Sequence, residues 1–554
     1  MQIISLGDYM FNIFKKRKRQ NDKNTEQSKQ TKVQVKQEKH QNKNTEQSKQ
    51  TSQEKKDKKA KNDGLLKSLY SNISFFKNIY KNDETLIIRE FQNKRLNSAK
   101  CCIIYIDGMV NTEIINENII EPVLRNDLSE NIDSHNLLEE LMKKVIVSNS
   151  VTLETEINKI VGSIVSGDTI FLLEGYDKAL IISSKGWLSR AVSEPDSAKV
   201  VRGPREGFTE SIMVNLSLVR RKIKNPDLKF KFKDIGERTH TKTCICYLEG
   251  IASEGILSEL EQRLEKIEID GIIDSGYIQE LIKDAPYSPF ETVGSSERPD
   301  VISAKLLEGR IALFVDGSPF VLTVPYLAIE NFQASEDYYN NYIFSSLNRF
   351  IRGFTAVTAI TIPSLFLSVV TYHQEMLPTP LLLSLSSSIQ GVPLPTVLSL
   401  FLMLSVFDLI REAATRMPAN IGQAVSIIGT IILGQAAVEA RLVSAPVLII
   451  TALTGITTLV NMNFISATII FRTLLLLGAS ILGVYGFLMC LIVMYLHLMS
   501  IRSFGVPYMM NSTKGGADGQ DAWIRAPWWT MTLRPKIIAA KNLVRQSSRN
   551  SKEK

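Results

Sequence analysis

The chain has 554 residues, of which 22% are charged and 44% are hydrophobic, and its formal net charge is +8. The excess charge belongs to residues 1–63, which hold 17 Lys/Arg and 8 Asp/Glu and so sum to 17 − 8 = +9. The other residues therefore sum to 8 − 9 = −1, and this balance gives no support for nucleic-acid binding by a folded basic surface.

Residues 1–63 form a lysine-rich tail in which the nine residues KNTEQSKQT occur twice, at 23–31 and 43–51. Low-complexity repeats with little apolar surface are typical of linkers, so the tail is predicted to be disordered. An apolar patch at 10–14 precedes the basic run KKRKR at 15–19, which suits either an anionic membrane surface or a solvated charge run. The opening residues lack the pattern of a secretory signal, so the soluble region is expected in the cytosol.

Between residues 64 and 350, four strand-like runs each end in an acidic residue followed by glycine. Asp107 and Glu174 are 67 residues apart, Glu249 and Asp316 are also 67 apart, and the offset between the two pairs is 142. A spacing that matches twice predicts two homologous α/β subdomains. The runs TIFLLEGYDKALII and IALFVDGSPFVLTV predict β-hairpins that turn at the glycine.

These carboxylates are predicted to be structural because each lies at a strand end before glycine. No Ser/His/Asp set, P-loop or G-x-G-x-x-G accompanies them, so the sequence predicts neither an enzyme nor a cofactor site. The five cysteines, at CC and CxC spacing with one alone, fit neither a disulfide framework nor a zinc site. They are predicted to be reduced thiols, mostly buried in strands.

A charged segment joins the two subdomains, and its helix is predicted over 208–222. This joint is a candidate interdomain or intersubunit surface, with a solvated linker helix as the alternative. A second charged cluster, ERPD, lies at 297–300, and a long helix is predicted from about 328 to 352. The candidate coupling residues of the joint are Arg202, Arg205, Glu206 and Glu210.

Residues 354–500 number 147 and contain only eight Asp, Glu, Lys or Arg. A membrane-spanning helix needs about 20 mostly apolar residues, so this region has room for about four to six. The arginines and lysines at both flanks favour a cytosolic location for both ends, which requires an even number of crossings. Five segments are apparent, at 354–372, 381–410, 421–440, 445–460 and 474–500. The segment 381–410 is therefore expected to cross twice or re-enter, unless another segment does not span.

Polar residues within this region are functional candidates. One set forms a stripe of small and polar residues on one helical face, which serves either tight helix packing or a pore. The serines of the broken segment 381–410 suit a water-filled cavity. Asp408, Arg411 and Glu412 have helical-neighbour spacing and are either functional or ordinary pairs at a helix end. The candidate pore-lining residues are Gln423, Ser426, Thr430, Gly434, Ser384 and Ser388.

The sequence thus predicts a duplicated α/β cytosolic region followed by an all-α domain that crosses the membrane several times. The predicted divisions are a tail (1–63), subdomain one (64–196), a linker helix (197–227), subdomain two with its lead-in helix (228–350), the transmembrane domain (351–500) and a cytosolic C-terminal tail (501–554).

Six blocks follow one another along the chain: RGPREGFTE (202–210), ERPD (297–300), EGRIALFVDGSPF (308–320), DLIREAATRMPANIGQAVSIIGTIILGQAAVEARLVSAP (408–446), GVPY (505–508) and APWWTMTLRP (526–535). In this order they resemble the A subunit of bacterial spore germinant receptors, the GerA family. The resemblance implies an inner spore membrane complex with transporter-like B and lipoprotein C subunits, which senses nutrients and triggers germination. It implies that the A subunit forms homo-oligomers and conducts ions, with a non-conducting scaffold as the alternative.

Overall fold

A computed structural model describes residues 64–92, 100–125, 137–187, 199–417, 434–510, 521–535, 538–539 and 542–546. The predicted disordered tail lies outside these ranges. So do three of the candidate pore-lining residues, Gln423, Ser426 and Thr430.

The first lobe is built around a five-stranded antiparallel sheet with the strand order β1-β2-β4-β5-β3. Helices cover both faces of this sheet, and each face has its own apolar core. The strands are β1 (Leu86–Gln92), β2 (Lys100–Ile106), β3 (Val151–Glu154), β4 (Thr169–Leu173) and β5 (Ala179–Ile182). The helices are α1 (Leu69–Ile79), α2 (Thr112–Ile115), α3 (Glu121–Arg125), α4 (Leu137–Glu140) and α5 (Ile157–Val165), with π-helical turns at Asn116–Ile120 and Leu141–Val145.

The second lobe has a five-stranded antiparallel sheet with the order β6-β7-β9-β10-β8, which is the order of the first sheet. The predicted hairpins are confirmed as β4–β5 and β9–β10. The strands are β6 (Leu228–Ile235), β7 (Thr241–Leu248), β8 (Gly294–Ser296), β9 (Ile311–Val315) and β10 (Val321–Val324). The helices are α6 (Ile212–Lys222), α7 (Glu254–Glu265), α8 (Ser275–Leu281) and α9 (Pro299–Glu308).

The predicted combination of helices and strands is confirmed in both lobes, and every strand pair in both sheets is antiparallel. The lobes are therefore better described as α+β. The β4–β5 and β9–β10 connections are too short for the crossover that parallel neighbours require, so those strands pair as hairpins. The central strands are apolar on both sides because helices pack on both faces.

The helix that was predicted as a linker packs as the first helix of the second lobe. Leu216 and Val219 of α6 belong to the apolar core beneath the second sheet. In the first lobe, α1 occupies the corresponding place before its first strand. The joint is therefore shorter than the predicted range 197–227.

Two matching devices anchor α1 and α6. Asn72 of α1 exchanges two hydrogen bonds with the backbone of Leu66, at 2.9 and 2.6 Å. Asn215 of α6 does the same with Thr209, at 2.8 and 2.5 Å. Because each amide both accepts and donates, it fixes the chain that enters the helix.

The second device uses the acidic residues of the [DE]-G turns. A carboxylate oxygen of Glu174 accepts a hydrogen bond from the Leu69 backbone at 2.9 Å, and Asp316 accepts one from Ile212 at 3.0 Å. Each carboxylate thus satisfies a free N–H at the start of a helix, where negative charge is favourable. This geometry supports the structural role predicted for these two residues.

The remaining helices form a bundle that follows the second lobe. The predicted single helix from 328 to 352 is wrong, because two short 3₁₀ helices at Ala328–Phe332 and Ser335–Tyr338 precede the long helix. That helix begins at Tyr342 and continues without a break at the predicted membrane boundary. The bundle helices are α10 (Tyr342–Tyr372), α11 (Thr379–Ile389), α12 (Thr396–Arg416), α13 (Gly434–Glu439), α14 (Ala445–Leu459) and α15 (Ile465–Ser500).

Helix α15 is a hairpin of two arms, 465–482 and 484–500, because the chain reverses at Gly483. Gly483 has φ 62° and ψ −138°, which no helix permits. A Cβ added to Gly478 would lie 2.5 Å from the sulfur of Cys490, although 12 residues of straight helix would separate them by about 18 Å. The rings of Phe471 and His497 are 6.3 Å apart for the same reason. The apolar run that was predicted as one segment therefore contains a turn.

Contacts at each end of the bundle define its lobe end and its distal end. At the lobe end, Phe464 packs against Phe290 of the second lobe with ring centroids 5.5 Å apart. Asn461, just after α14, donates a hydrogen bond to the Arg352 carbonyl near the start of α10 at 2.9 Å. Both α10 and the first arm of α15 therefore run from the lobe end to the distal end, and α14 runs the opposite way.

Helix α12 runs toward the lobe end. Gly391 precedes α12 and lies beside Arg441, which precedes α14 at the distal end. The Tyr372 hydroxyl, at the end of α10, donates to the Ser480 carbonyl beside the turn of the hairpin. Among the described helices, α10 and α15 are long and apolar enough to cross a membrane, by length and composition alone.

Candidate functional site at the lobe–bundle junction

A buried arginine joins α10 to the C-terminal segment. Arg349 Nε donates to Asp337 at 2.9 Å, and its Nη1 donates to Asp521 at 2.8 Å and to the Ala522 carbonyl at 2.9 Å. Arg352, one turn later, binds both oxygens of Asp337 at 2.6 Å. Since the Arg349 side chain is 1% exposed, its charge depends on these partners. The junction therefore fixes three chain segments relative to one another.

A second buried pair lies beneath the end of the second sheet. Arg310 Nη1 donates to Glu330 at 2.6 Å, and Lys305 Nζ lies 3.1 Å from the other oxygen of Glu330. The Leu327 backbone N–H also donates to Glu330, at 2.7 Å. Burial would raise the pKa of the Glu330 carboxyl, but these donors outweigh burial and hold the pKa below its usual value.

An aromatic side chain from the second lobe inserts into the bundle. Phe290 is 1% exposed and stacks on Phe471 of α15 with ring centroids 5.0 Å apart. It also lies 6.1 Å from the ring of His497, whose Nε2 is 2.9 Å from the Ser288 hydroxyl. One loop of the second lobe therefore contacts both arms of the α15 hairpin.

The C-terminal segment returns to the second lobe. It forms a two-stranded sheet of β11 (Arg502–Ser503) and β12 (Val506–Pro507). The Ser503 hydroxyl donates to the Thr292 carbonyl at 2.7 Å, and Ala539 forms a bridge with Ala252. The start of α10 and the end of α15 therefore lie on the same side of the bundle.

Two charged sequence blocks meet next to this junction. Arg298 of the ERPD block donates to the Pro204 carbonyl of the RGPREGFTE block at 2.8 Å and pairs with Asp300 at 2.9 Å. The Tyr339 hydroxyl donates to Asp300 at 2.5 Å. Gly203 has φ 143°, and a Cβ there would lie 2.9 Å from the Tyr339 ring, so the close approach requires glycine.

The predicted coupling residues of the joint lie mostly at the surface. Arg202, Arg205 and Glu210 are exposed, and the backbone carbonyl of Glu210 accepts a hydrogen bond from the Gly317 N–H at 2.8 Å. Glu206 lies 3.1 Å from Lys222 at the end of α6. The buried contact between these blocks is formed instead by Arg298 with the Pro204 carbonyl. The sequence identified the ERPD cluster as charged but did not pair it with the joint.

The described members of the predicted pore-lining set lie on two helices, α11 and α13. Gly434 is buried where α13 begins, and a Cβ there would lie 3.2 Å from the Leu448 side chain. Ser384 is exposed on α11, and its carbonyl accepts a hydrogen bond from the Ser388 hydroxyl at 2.8 Å. The other three members lie outside the described residues, so the predicted stripe stays a prediction.

The predicted acid–base cluster in α12 gains a partner from another helix. Arg472 of α15 lies 2.5 Å from Asp408, and Arg411 lies 3.3 Å from the other oxygen of Asp408. Glu412 pairs instead with Arg416, at 2.7 Å. Sequence reasoning did not pair Arg472 with this cluster, although Arg472 is the single Lys or Arg between Arg441 and Arg502. That isolation was the available signal.

Within the described ranges, no group of three or more His, Cys, Asp or Glu residues is placed to hold a metal ion. The cysteines of the two sheets are free and buried. Burial raises the pKa of Cys101 and of Cys102 to about 12, so these thiols stay protonated at neutral pH.

The sequence profile described as Bacillus/Clostridium GerA spore germination protein matches residues 74–537. The chain belongs to the GerA family. It is 38% identical over 483 residues to spore germination protein KA of Bacillus subtilis (strain 168), which covers 86% of this chain and 88% of that protein. It is 41% identical over 443 residues to the uncharacterized membrane protein YfkQ of the same organism, which covers 79% and 86%.

A solved structure also matches the N-terminal region. It is the N-terminal domain of the A subunit of the Bacillus megaterium spore germinant receptor GerK3, which is 34% identical. The match covers 48% of this chain and 97% of that chain, with a TM-score of 0.39. The family match spans both lobes and most of the bundle and C-terminal segment, whereas the lysine-rich tail lies outside it.

Proposed function

We propose that this chain is the A-type subunit of a nutrient-sensing spore germination receptor and that its bundle forms an ion-conducting component by oligomerisation. Its partners would be B-type transporter-like and C-type lipoprotein subunits, in the inner spore membrane, with both lobes in the cytoplasm. Family membership supports the germination role. The observation that favours a gated component is the buried junction of Arg349, Asp337 and Asp521.

The junction supports gating because it couples the second lobe to the helices without a flexible connection. A receptor subunit can change its conduction only if a movement outside the membrane displaces the helices inside it. Phe290 contacts both arms of α15, and Arg349 joins α10 to the C-terminal segment. A shift of the second lobe would therefore move α10 and α15 together.

The directions of the helices also support a bundle that crosses the membrane repeatedly. Helix α10 leaves the second lobe and the second arm of α15 returns to it, so the number of crossings between them is even. With the turn at Gly483, the two arms of α15 would provide the additional crossing that an even number requires. Each arm of the hairpin has about 17 or 18 residues, the lower limit for a span.

The alternative is a scaffold that holds the receptor together and conducts nothing. One observation favours it: several described hydroxyl groups of α14 are buried and donate to carbonyls of their own helix. Thr451 donates to Val447 at 2.9 Å and Thr458 donates to Thr454 at 2.7 Å. Hydroxyl groups satisfied in this way are available for packing but offer little to a passing ion.

Ion flux from liposomes that contain the purified full chain tests the proposal. We expect flux above that of protein-free liposomes, and we expect Thr430→Leu to change it by about tenfold if Thr430 faces the pore. Thr473→Leu, at an exposed threonine of α15, is the matched control and should leave flux unaltered. Absence of flux in every preparation, with normal germination complexes, would support the scaffold.

A further inference from the structure

The cluster of Asp408, Arg411 and Arg472 has an excess of positive charge. Two guanidinium groups face one carboxylate, which gives a formal charge of +1 within an apolar bundle. The other charges of α12, Glu412 and Arg416, form a separate exposed pair. No further carboxylate of the described residues contacts Arg411 or Arg472, so the cluster is one negative charge short of balance.

The two arginines also have N–H groups without an acceptor. The Arg472 side chain is 2% exposed, and its Nη1, adjacent to the nitrogen that binds Asp408, has no hydrogen-bond partner in the described part of the chain. Among the same described residues, Nη1 of Arg411 also has no hydrogen-bond partner, and neither has the Asp408 oxygen that lies 3.3 Å from it. A guanidinium N–H group without an acceptor is costly in an apolar environment. An anion that accepts from both arginines would remove this cost.

The cluster lies close to the lobe end of the bundle. Helix α12 continues five residues beyond Arg411, to Arg416, a distance of about 7.5 Å along its axis. Arg472 follows the start of α15 by seven residues, about 10 Å. Asp408 and Arg411 are 22% and 17% exposed, so the cluster is partly open at the bundle surface. At this depth a long arginine side chain reaches the phosphate layer of a bilayer.

We propose that Arg411 and Arg472, which Asp408 holds in place, bind an oxyanion of the phosphate type. An anionic phospholipid headgroup supplies this oxyanion. Guanidinium groups suit phosphate oxygens because their donors are fixed in a fork. Basic sites between membrane helices on the cytoplasmic side bind lipid headgroups in this way. The proposal rests on the placement of the bundle in a membrane but does not depend on ion conduction.

Thermal melting of the detergent-purified full chain tests this site. Phosphatidylglycerol should raise the melting temperature of the unaltered chain more than phosphatidylcholine does. Arg411→Gln should require about tenfold more phosphatidylglycerol for the same shift, because one charge-assisted hydrogen bond is lost. Arg416→Gln removes the same charge from the same helix and should respond like the unaltered chain. A response of Arg411→Gln equal to that of Arg416→Gln overturns the proposal.

Two further arms identify the source of the oxyanion and guard against misfolding. Inorganic phosphate that produces the same Arg411-dependent shift assigns the site to free phosphate, whereas an effect of phosphatidylglycerol alone assigns it to lipid. Arg411→Lys keeps the charge and should retain part of the response if Arg411→Gln fails to fold. Recovery of the full chain in aqueous buffer without detergent would contradict the membrane placement itself, independently of the lipid response.

Discussion

The two lobes share a strand order but differ in how their charges are used. Ion pairs confined to the first lobe are mostly exposed, as in Arg125–Glu121, whose side chains are 81% and 42% exposed. The second lobe and its junction contain buried pairs, including Arg310–Glu330, with both side chains 5% exposed. The repeat therefore explains why the two lobes share one strand order. The buried ion pairs distinguish the second lobe, which is joined to the bundle.

The contact between the lobes follows the same division. Arg220 of α6 reaches Asp83 before the first strand of the first lobe, at 2.7 Å, and both side chains are almost fully buried. Lys229 of β6 donates to the Ile79 carbonyl at the end of α1, at 2.9 Å. The second lobe thus supplies the buried cations both at its junction with the bundle and at its contact with the first lobe. The first lobe is held to the second lobe through Arg220 and Lys229.

The largest expected effect is at the junction. Arg349→Met should lower the melting temperature of the full chain strongly and cost about 3–5 kcal/mol, because it leaves the buried Asp337 and the half-buried Asp521 with one cation fewer. The matched control, Arg125→Met, breaks an exposed pair of the first lobe and should cost less than about 1 kcal/mol. Equal losses from the two variants would contradict the division between the lobes.

The sequence alone predicted the repeat because its signal is local. Each [DE]-G turn is fixed by a strand, a glycine and a fixed spacing, and Asp107 and Asp316 needed no knowledge of distant contacts. The matching anchors Asn72 and Asn215 could also have been predicted, since they lie in the similar fragments SNIS and VNLS, which are 143 residues apart. They were missed because α6 was assigned to the joint and not to the repeat.

The site was less predictable because its contacts are distant in sequence. Asp408 and Arg472 are 64 residues apart, and Arg349 and Asp521 are 172 apart, with no periodicity between them. Arg349 was interpreted as a membrane-flanking charge, whereas it is buried against carboxylates. The turn at Gly483 left no mark either, because the run around it is apolar and contains other glycines.

A smaller effect tests whether the two copies are equivalent. Asn72→Ala and Asn215→Ala each remove the two hydrogen bonds that a buried amide forms with the backbone ahead of its helix, so each should cost about 1–3 kcal/mol. Hydrogen-exchange mass spectrometry should show faster exchange at the start of α1 in one variant and of α6 in the other. Asn78→Ala, at an exposed position of α1, is the control. A loss confined to one lobe would mean that the anchors are not equivalent.

The smallest expected effect is on how stability depends on pH, which should have opposite signs for a buried carboxyl of each lobe. The pKa of Glu330 is held below its usual value, so its stabilising contribution is complete above the unfolded pKa, about 4.3, and is lost as the pH falls through the lower folded value. Asp168 of the first lobe behaves oppositely. Burial raises its pKa in spite of Lys185, so its ionisation reduces stability as the pH rises through the raised value.

Substitution should therefore separate the two lobes. Glu330→Gln should weaken the loss of stability on acidification, whereas Asp168→Asn should remove a gain of stability on acidification. Melting temperatures measured from neutral pH to well below about pH 4, the unfolded value of a carboxyl, give both difference curves against the unaltered chain, because the Glu330 contribution is lost only below that value. Glu308 is half-buried, and burial raises the pKa of its carboxyl, so only the difference curves isolate each carboxyl. Curves of the same sign would show that the environment of Glu330 is not dominated by Arg310 and Lys305.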